Sequence, residues 1–144
     1  MAVFLDTNIL IYSISTSEEP LEFTKKSLAA DLLQRRNDLV LSTQVLQEFY
    51  VQATRASRPG ALPHELACEF IESWKRFQIV PVTADLVDRA LLIRRETGFQ
   101  YWDCAIIAAA QIADCDTLLT EDMQEGRILG GVTLFNPFSI LRTA

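Results

Sequence analysis

Phe4–Leu5–Asp6–Thr7–Asn8–Ile9–Leu10 joins a short apolar run to a second apolar stretch and sets one acid at the join. Val3–Leu5 has the length and composition of a buried strand, and a helix is expected from about Asn8. The same arrangement returns three times along the chain. Leu39–Leu41 reads as a strand, Ser42 or Thr43 caps a helix running towards Arg55, and Glu48 lies on that helix. Tyr101–Trp102 leads through Asp103 into the apolar run Ala105–Ala110, expected as part of a helix over Tyr101–Ala113. Thr117–Thr120 reads as a strand, with Asp122 two residues beyond it.

The remaining elements fit between these. Helices are expected over Glu22–Arg36, from Pro63 to about Arg76, and from Ala84 to Glu96 with Thr83 as cap and Gly98 as stop. Further strands are expected at Ile79–Val82 and Val132–Phe135. Five strands separated by helices imply a parallel sheet covered on both faces. A chain of 144 residues with 49% hydrophobic content is enough for one domain with its own core, spanning residues 1–144. Charged residues at 22% and five each of Gly and Pro argue against disorder.

In an open parallel sheet the ligand site lies outside the carboxyl ends of the strands. Asp6 and Asp122 follow such ends, and the helices bearing Glu48 and Asp103 begin there. On the Gln44–Arg58 segment a period near 100° puts Val45, Leu46, Phe49, Ala53 and Ala56 on one face, with Glu48 at its rim. Carboxylates that converge without basic partners repel, and burial adds to the cost. Oxygen-ligand cations such as Mg²⁺ or Mn²⁺ remove the repulsion. Metal-dependent phosphate chemistry is therefore the expectation for the four acids.

Each acid has a blander reading. Asp6 can cap a helix, Asp103 can complement a helix dipole, Glu48 can be a solvated helix residue and Asp122 a turn residue. Their shared position at one end of the sheet weighs against four separate explanations. Glu121 is expected to be exposed, Asp85 and Asp88 to be surface charges, and Asp114 and Asp116 have no assigned role. Tyr12, Tyr50, Tyr101 and Trp102 are expected to pack, with Trp102 the best candidate for stacking on a base because it abuts Asp103. His64 has no triad partners and is expected to be solvated or capping. The net charge of −6 argues against a nucleic-acid coat protein but not against a nuclease, whose acids would supply part of it. Cys68, Cys104 and Cys115 lack paired spacing and read as reduced thiols, two of them in the core. With no basic leader and no apolar run of about 20 residues, a soluble cytoplasmic protein without a membrane span is expected.

Together, Phe4–Leu10, Leu41–Tyr50, Tyr101–Asp103 with its Ala/Ile-rich helix, and Leu119–Asp122 resemble the four signature segments of PIN-domain ribonucleases, in the family's order and across essentially the whole chain. Gly130–Phe138, with Asn136–Pro137–Phe138, also resembles members of this family. The resemblance implies a three-layer α/β/α sandwich with a central, mainly parallel five-stranded sheet. It implies Mg²⁺- or Mn²⁺-dependent hydrolysis of RNA, with Asp6, Glu48, Asp103 and Asp122 as the acidic cluster. Thr7, Asn8 and Thr120 would orient carboxylates or water. Asp6 and Asp103 would be the direct ligands, Glu48 direct or through water, and Asp122 through water. Single-domain relatives of this length are often toxins of toxin–antitoxin pairs, which implies a homodimer and a cognate antitoxin. An RNA-processing role without toxicity, or an inactive binding module, stays open. Two other acid-bearing classes do not fit: a haloacid-dehalogenase-type enzyme needs an Asp where Asn8 stands, and a receiver module needs a Lys that Val132–Phe138 lacks.

Overall fold

In the computed structural model, residues 2–139 and 141 are described, so the extreme ends of the expected domain lie outside the described residues. The chain runs β1 (Val3–Leu5), α1 (Thr7–Ser13), α2 (Pro20–Arg35), β2 (Leu39–Ser42), α3 (Thr43–Ala53), α4 (His64–Trp74), β3 (Gln78–Val80), α5 (Ala84–Thr97), α6 (Tyr101–Ile112), β4 (Thr117–Leu119), β5 (Ile128–Leu129) and β6 (Val132–Phe135). Apolar side chains of β1, β2 and β4 face core on both sides, so these strands read as continuous hydrophobic runs rather than alternating ones.

The sheet order is β3-β2-β1-β4-β6-β5. β1 pairs parallel with β2 and β4, β2 with β3, and β4 with β6. From β1 the chain steps outward to β2 and β3, then returns to β4 on the other side of β1. Since crossovers between parallel strands are right-handed as a rule, this order puts α1–α4 on one face and α5–α6 on the other. Contacts agree: α1 packs on α2 and α3, α3 on α4, and α5 on α6. The three-layer, mainly parallel fold is thus present. The sheet has six strands rather than the expected five. The extra strand, β5, is two residues long and antiparallel to β6 across Gly130–Gly131, whose φ values of 54° and 84° suit a tight hairpin.

Other boundaries differ for local reasons. β3 ends at Val80 rather than Val82, because Pro81 has no N–H to donate and Val82 N instead donates to Thr43 Oγ1 at 3.2 Å. α3 stops at Ala53, where the Thr54 hydroxyl donates to the Tyr50 carbonyl at 2.7 Å, and Ala56 is exposed beyond the helix rather than on its apolar face. Asp114, with φ 54°, ends α6 in the left-handed region while Cys115 N donates to Ala110 O.

The helix that carries Glu48 is fixed at both ends and along one face. Val45, Leu46, Phe49 and Ala53 are buried, and the Phe49 ring meets Trp74 edge-on at 4.6 Å. Its cap is Ser42, which is buried and whose Oγ accepts Val45 N at 3.3 Å. Ser42→Ala should therefore lower unfolding free energy by about 1 kcal/mol, and Thr43→Ala by less, because Thr43 makes no cap bond to α3. Urea unfolding of the two variants checks this; an unchanged unfolding free energy in Ser42→Ala would place the cap elsewhere.

Candidate functional site

Because the connections leave β1 in opposite directions, a crevice opens at the carboxyl ends of β1 and β4. Asp6 follows β1, with its N–H donating to Leu119 O of β4 at 3.0 Å. It is buried, at 6% exposure. Asp6 Oδ1 accepts Thr7 N at 2.7 Å, and Oδ2 accepts the Thr120 hydroxyl at 2.7 Å and Asn8 Nδ2 at 3.3 Å. The same Asn8 amide nitrogen donates to Asp122 Oδ2 at 3.0 Å and lies 3.5 Å from Thr120 Oγ1. One side chain on α1 thus ties the acids that follow β1 and β4. Asn8 Oδ1 completes the link by accepting Glu121 N at 3.3 Å.

Glu48 and Asp103, both half-buried, face the same crevice. Gln44 Nε2 donates to Glu48 Oε1 at 2.7 Å and to the Trp102 carbonyl at 3.1 Å, so α3 and the start of α6 are joined beside both acids. Asp122 is exposed after β4. The blander readings hold locally for two acids: Asp6 caps α1 and Asp103 lies in the first turn of α6. Neither precludes a shared site, because the side chains meet regardless of what starts each helix.

The electrostatics show that the cluster is under load. Burial pushes the Asp6 carboxyl up from 3.8 to about 7; its bonds from Thr120 and Thr7 pull the other way, and Asp103 and Glu48 add repulsion. Burial also raises Glu48, opposed by the Gln44 bond and reinforced by Asp103. Asp103 is raised by burial and then by Asp122. The Thr7 hydroxyl favours charged Glu48, yet it makes no hydrogen bond of good geometry and stays buried without a partner. None of the four acids forms an ion pair among the described residues. In the same set, no three His, Cys, Asp or Glu side chains close into a cage around one ion. An ion that keeps several waters needs no such cage.

Glu121 departs from its expected exposure. Its carboxylate accepts the Tyr12 hydroxyl at 2.6 Å and Lys25 Nζ at 2.6 Å, and its side chain is 17% exposed. Lys25 also stands over the Tyr12 and Phe138 rings, 5.1 and 5.6 Å from their centroids. This bridge clamps the segment after β4 to α1 and α2. Lys25 has no sequence signal for that role, whereas Gln44 is visible four residues before Glu48 on one helix. Asp85 and Asp88 are exposed as expected, and Cys104 and Cys115 are buried while Cys68 is not. Exposed His64 bonds Tyr50 through Nδ1 at 2.8 Å and takes no part in the acid network. A cavity of about 500 Å³ between Asp85, Arg89, Gln111 and Gly130 includes none of the four acids.

The PIN-domain family profile matches residues 3–125. The chain belongs to the PIN-domain family. No curated protein sequence matches it. Solved structures share the fold at low identity. A toxin–antitoxin complex from Klebsiella pneumoniae matches at TM-score 0.64 and 23% identity, over 92% of this chain and 96% of that one. VapBC2 from Rickettsia felis, bound to a DNA fragment from its promoter, matches at 0.62 and 20%, over 94% and 98%. Mycobacterium tuberculosis VapC20, described as a sarcin–ricin loop cleaving toxin, matches at 0.61 and 20%, over 81% and 87%. Among the described residues, no helix of this PIN domain is long and apolar enough to cross a membrane.

The raised Asp6 value makes a signed prediction for the metal-free protein. Folded Asp6 keeps its proton to about pH 7, whereas the unfolded chain releases it near 3.8. Between these values the unfolded state binds fewer protons, so stability falls as pH rises. The shift corresponds to roughly 4 kcal/mol when Asp6 is fully ionised. Denaturant melts in chelator from pH 4 to 7 should show this decline, and Asp6→Asn should flatten much of it. An unchanged slope in the mutant would place the proton uptake elsewhere.

Proposed function

We propose that this PIN domain is a metal-dependent endoribonuclease that hydrolyses RNA phosphodiester bonds, and that it acts in the cytoplasm as the toxin of a toxin–antitoxin pair. The observation that carries the reading is the convergence of Asp6, Glu48, Asp103 and Asp122 at the β1/β4 crevice without a basic partner. Four carboxylates plus an unpartnered, buried Thr7 hydroxyl form an all-oxygen donor set, which fits Mg²⁺ or Mn²⁺. The neighbouring folds occur in toxin–antitoxin complexes, and one is described as cleaving an RNA loop; both support the choice of polymer and role.

These oxygens would hold a divalent ion, which would supply neutralisation of phosphate charge and a more acidic water. Asp6 and Asp103 are the proposed direct ligands, Glu48 a ligand directly or through water, and Asp122 a ligand through water. Thr120 and Asn8 keep the Asp6 and Asp122 carboxylates aimed, and Thr7 offers its free hydroxyl to water between Asp6 and Glu48. Because the neighbours are toxin–antitoxin complexes, a cognate antitoxin is the proposed protein partner; it would cover the acids with a basic side chain, on a homodimer of this chain.

Asp103→Asn, which removes charge while keeping shape, should abolish cleavage of RNA in Mg²⁺ or Mn²⁺ and leave metal-free stability equal or slightly higher. Near-normal cleavage by the folded variant would remove Asp103 from the site. Metal should also stabilise the fold, by about 2.7 kcal/mol at a free concentration of 100 times its dissociation constant. Calorimetry should show that gain shrinking in Asp6→Asn and Asp103→Asn but not in Asp85→Asn; equal gains in all would mean the ion sits elsewhere. Expression of the chain alone should arrest growth, with relief by Asp6→Asn at equal protein level. Unimpaired growth with abundant active nuclease would favour RNA processing over toxicity.

A further inference from the structure

Cys68 differs from the other two thiols of the chain. Cys104 and Cys115 are buried, whereas Cys68 is exposed on α4. Sequence spacing supplies no catalytic partners for His64, the chain's one histidine, but the fold does. Cys68 Sγ lies one helical turn from the imidazole, 3.5 Å from Nε2 and 3.9 Å from Nδ1. The same ring bonds the Tyr50 hydroxyl of α3 through Nδ1 at 2.8 Å, and the two rings meet edge-on at 5.7 Å.

The cluster rests on a packed contact. Phe49 of α3 meets Phe70 at 6.4 Å and Trp74 at 4.6 Å, both on α4 and both edge-on. Tyr50 follows Phe49, so the contact that joins the helices also sets the phenol beside the imidazole. A thiol, a base within reach and a third group that orients the base make up the arrangement of an activated nucleophile. With its proton on Nδ1, the ring donates to the Tyr50 oxygen and leaves the Nε2 lone pair for the thiol. The other thiols do not compete. Burial raises Cys104 and pushes Cys115 up to about 11, and neither is open to solvent.

We propose that Cys68 is a site of thiol–disulfide exchange, with His64 as its general base and Tyr50 as a positioning residue, and that it takes small disulfides bearing amines. His64 Nε2 accepts the thiol proton as Sγ attacks one sulfur of the disulfide. A new S–S bond forms on Cys68 and the old one breaks. The departing thiolate then takes the proton from Nε2 and leaves as a thiol. Cys68 is oxidised and the departing half of the reagent is reduced, so no further oxidant is needed. The preference for amines follows from Glu65 and Glu72, exposed neighbours of Cys68 at i−3 and i+4 on the helix surface. Lys75 offsets part of the Glu72 charge. The inference does not rest on the nuclease reading.

The test incubates the full chain with cystamine and follows adducts by intact mass and peptide mapping. One adduct should form on Cys68, with Cys104 and Cys115 unmodified. His64→Gln should slow it about tenfold or more, short of the largest general-base effects because an exposed thiol also reacts unaided. Added imidazole should restore part of the rate in His64→Ala. Tyr50→Phe should slow the reaction less than His64→Gln does, and nitrogen NMR should show the His64 ring losing its preference for the Nδ1–H tautomer. Glutathione disulfide, an anionic reagent, should react more slowly than cystamine. Because His64 and Cys68 are exposed, their variants should melt like the wild type. No adduct on the folded chain, an earlier adduct on Cys104 or Cys115, or an unchanged rate in His64→Gln would overturn the proposal. An unchanged rate and tautomer in Tyr50→Phe would remove Tyr50 from it, and faster reaction of glutathione disulfide would overturn the amine preference.

Discussion

The buried carboxyl of Asp6 is the constraint around which the site is organised. It sits at the end of β1, between two parallel neighbours, where a charged group is costly and a neutral one would be useless to a cation. Three donors surround it: the Thr7 amide, the Thr120 hydroxyl and the Asn8 amide. Each favours the anion, yet burial outweighs them and the proton is held to about pH 7. A core position optimised for stability alone would carry an apolar residue. The chain instead keeps an acid there and surrounds it with groups that orient it, which is the pattern of a site whose stability is completed by a ligand.

Sheet topology makes that arrangement available. Only because the chain leaves β1 towards β2 and returns to β4 on the opposite side do Asp6 and Thr120 become neighbours across 114 positions of sequence. The returning segment is then fastened. Glu121 is held by Lys25 of α2 and Tyr12 of α1, and its amide is held by Asn8. A largely buried ion pair of this kind adds little net stability, but it fixes the segment that carries Asp122. On the other side, Gln44 couples Glu48 to the start of α6. Asp6, Glu48 and Asp122 are each held by at least one side-chain hydrogen bond, whereas Asp103 is placed by its position in the first turn of α6.

Much of this is legible in the sequence, for identifiable reasons. Short apolar runs ending in an acid mark β1, and Asp6 follows it in the structure. The all-apolar run after Asp103 marks a buried helix, and its residues from Cys104 to Ala110 are buried. Glu48 beside the Val45–Phe49 stripe marks a rim position, and it is half-buried. What the sequence conceals depends on long-range partners. Glu121 looks like any acid in a loop, because the Lys25 that buries it is 96 residues away and the ring it crosses, Phe138, belongs to the closing segment. The sixth strand is concealed differently: Gly130–Gly131 carries a hairpin signal, but two residues are too few for periodicity to register. Strand ends fail where one side chain replaces a ladder bond, as Thr43 does for Val82.

Acidity is the property that stands against the proposed RNA-directed function, and its resolution is spatial. At physiological salt, charges more than about 8 Å apart are largely screened, so a polyanion approaching the crevice responds to the groups it meets and hardly to the total of −6. Six of the acids, Asp31, Asp38, Glu72, Asp85, Asp88 and Glu121, are either paired with a basic side chain or exposed away from the four-acid network. The four unpaired acids at the crevice repel phosphate, and under the proposed metal dependence a divalent ion held among them would reverse that. Arg55 and Arg58 border the recesses that contain Glu48 and Asn8, and neither joins an ion pair among the described residues. Cations held back from ion pairs and acids held back from cations are two halves of one arrangement: each leaves its charge to be completed from outside the fold.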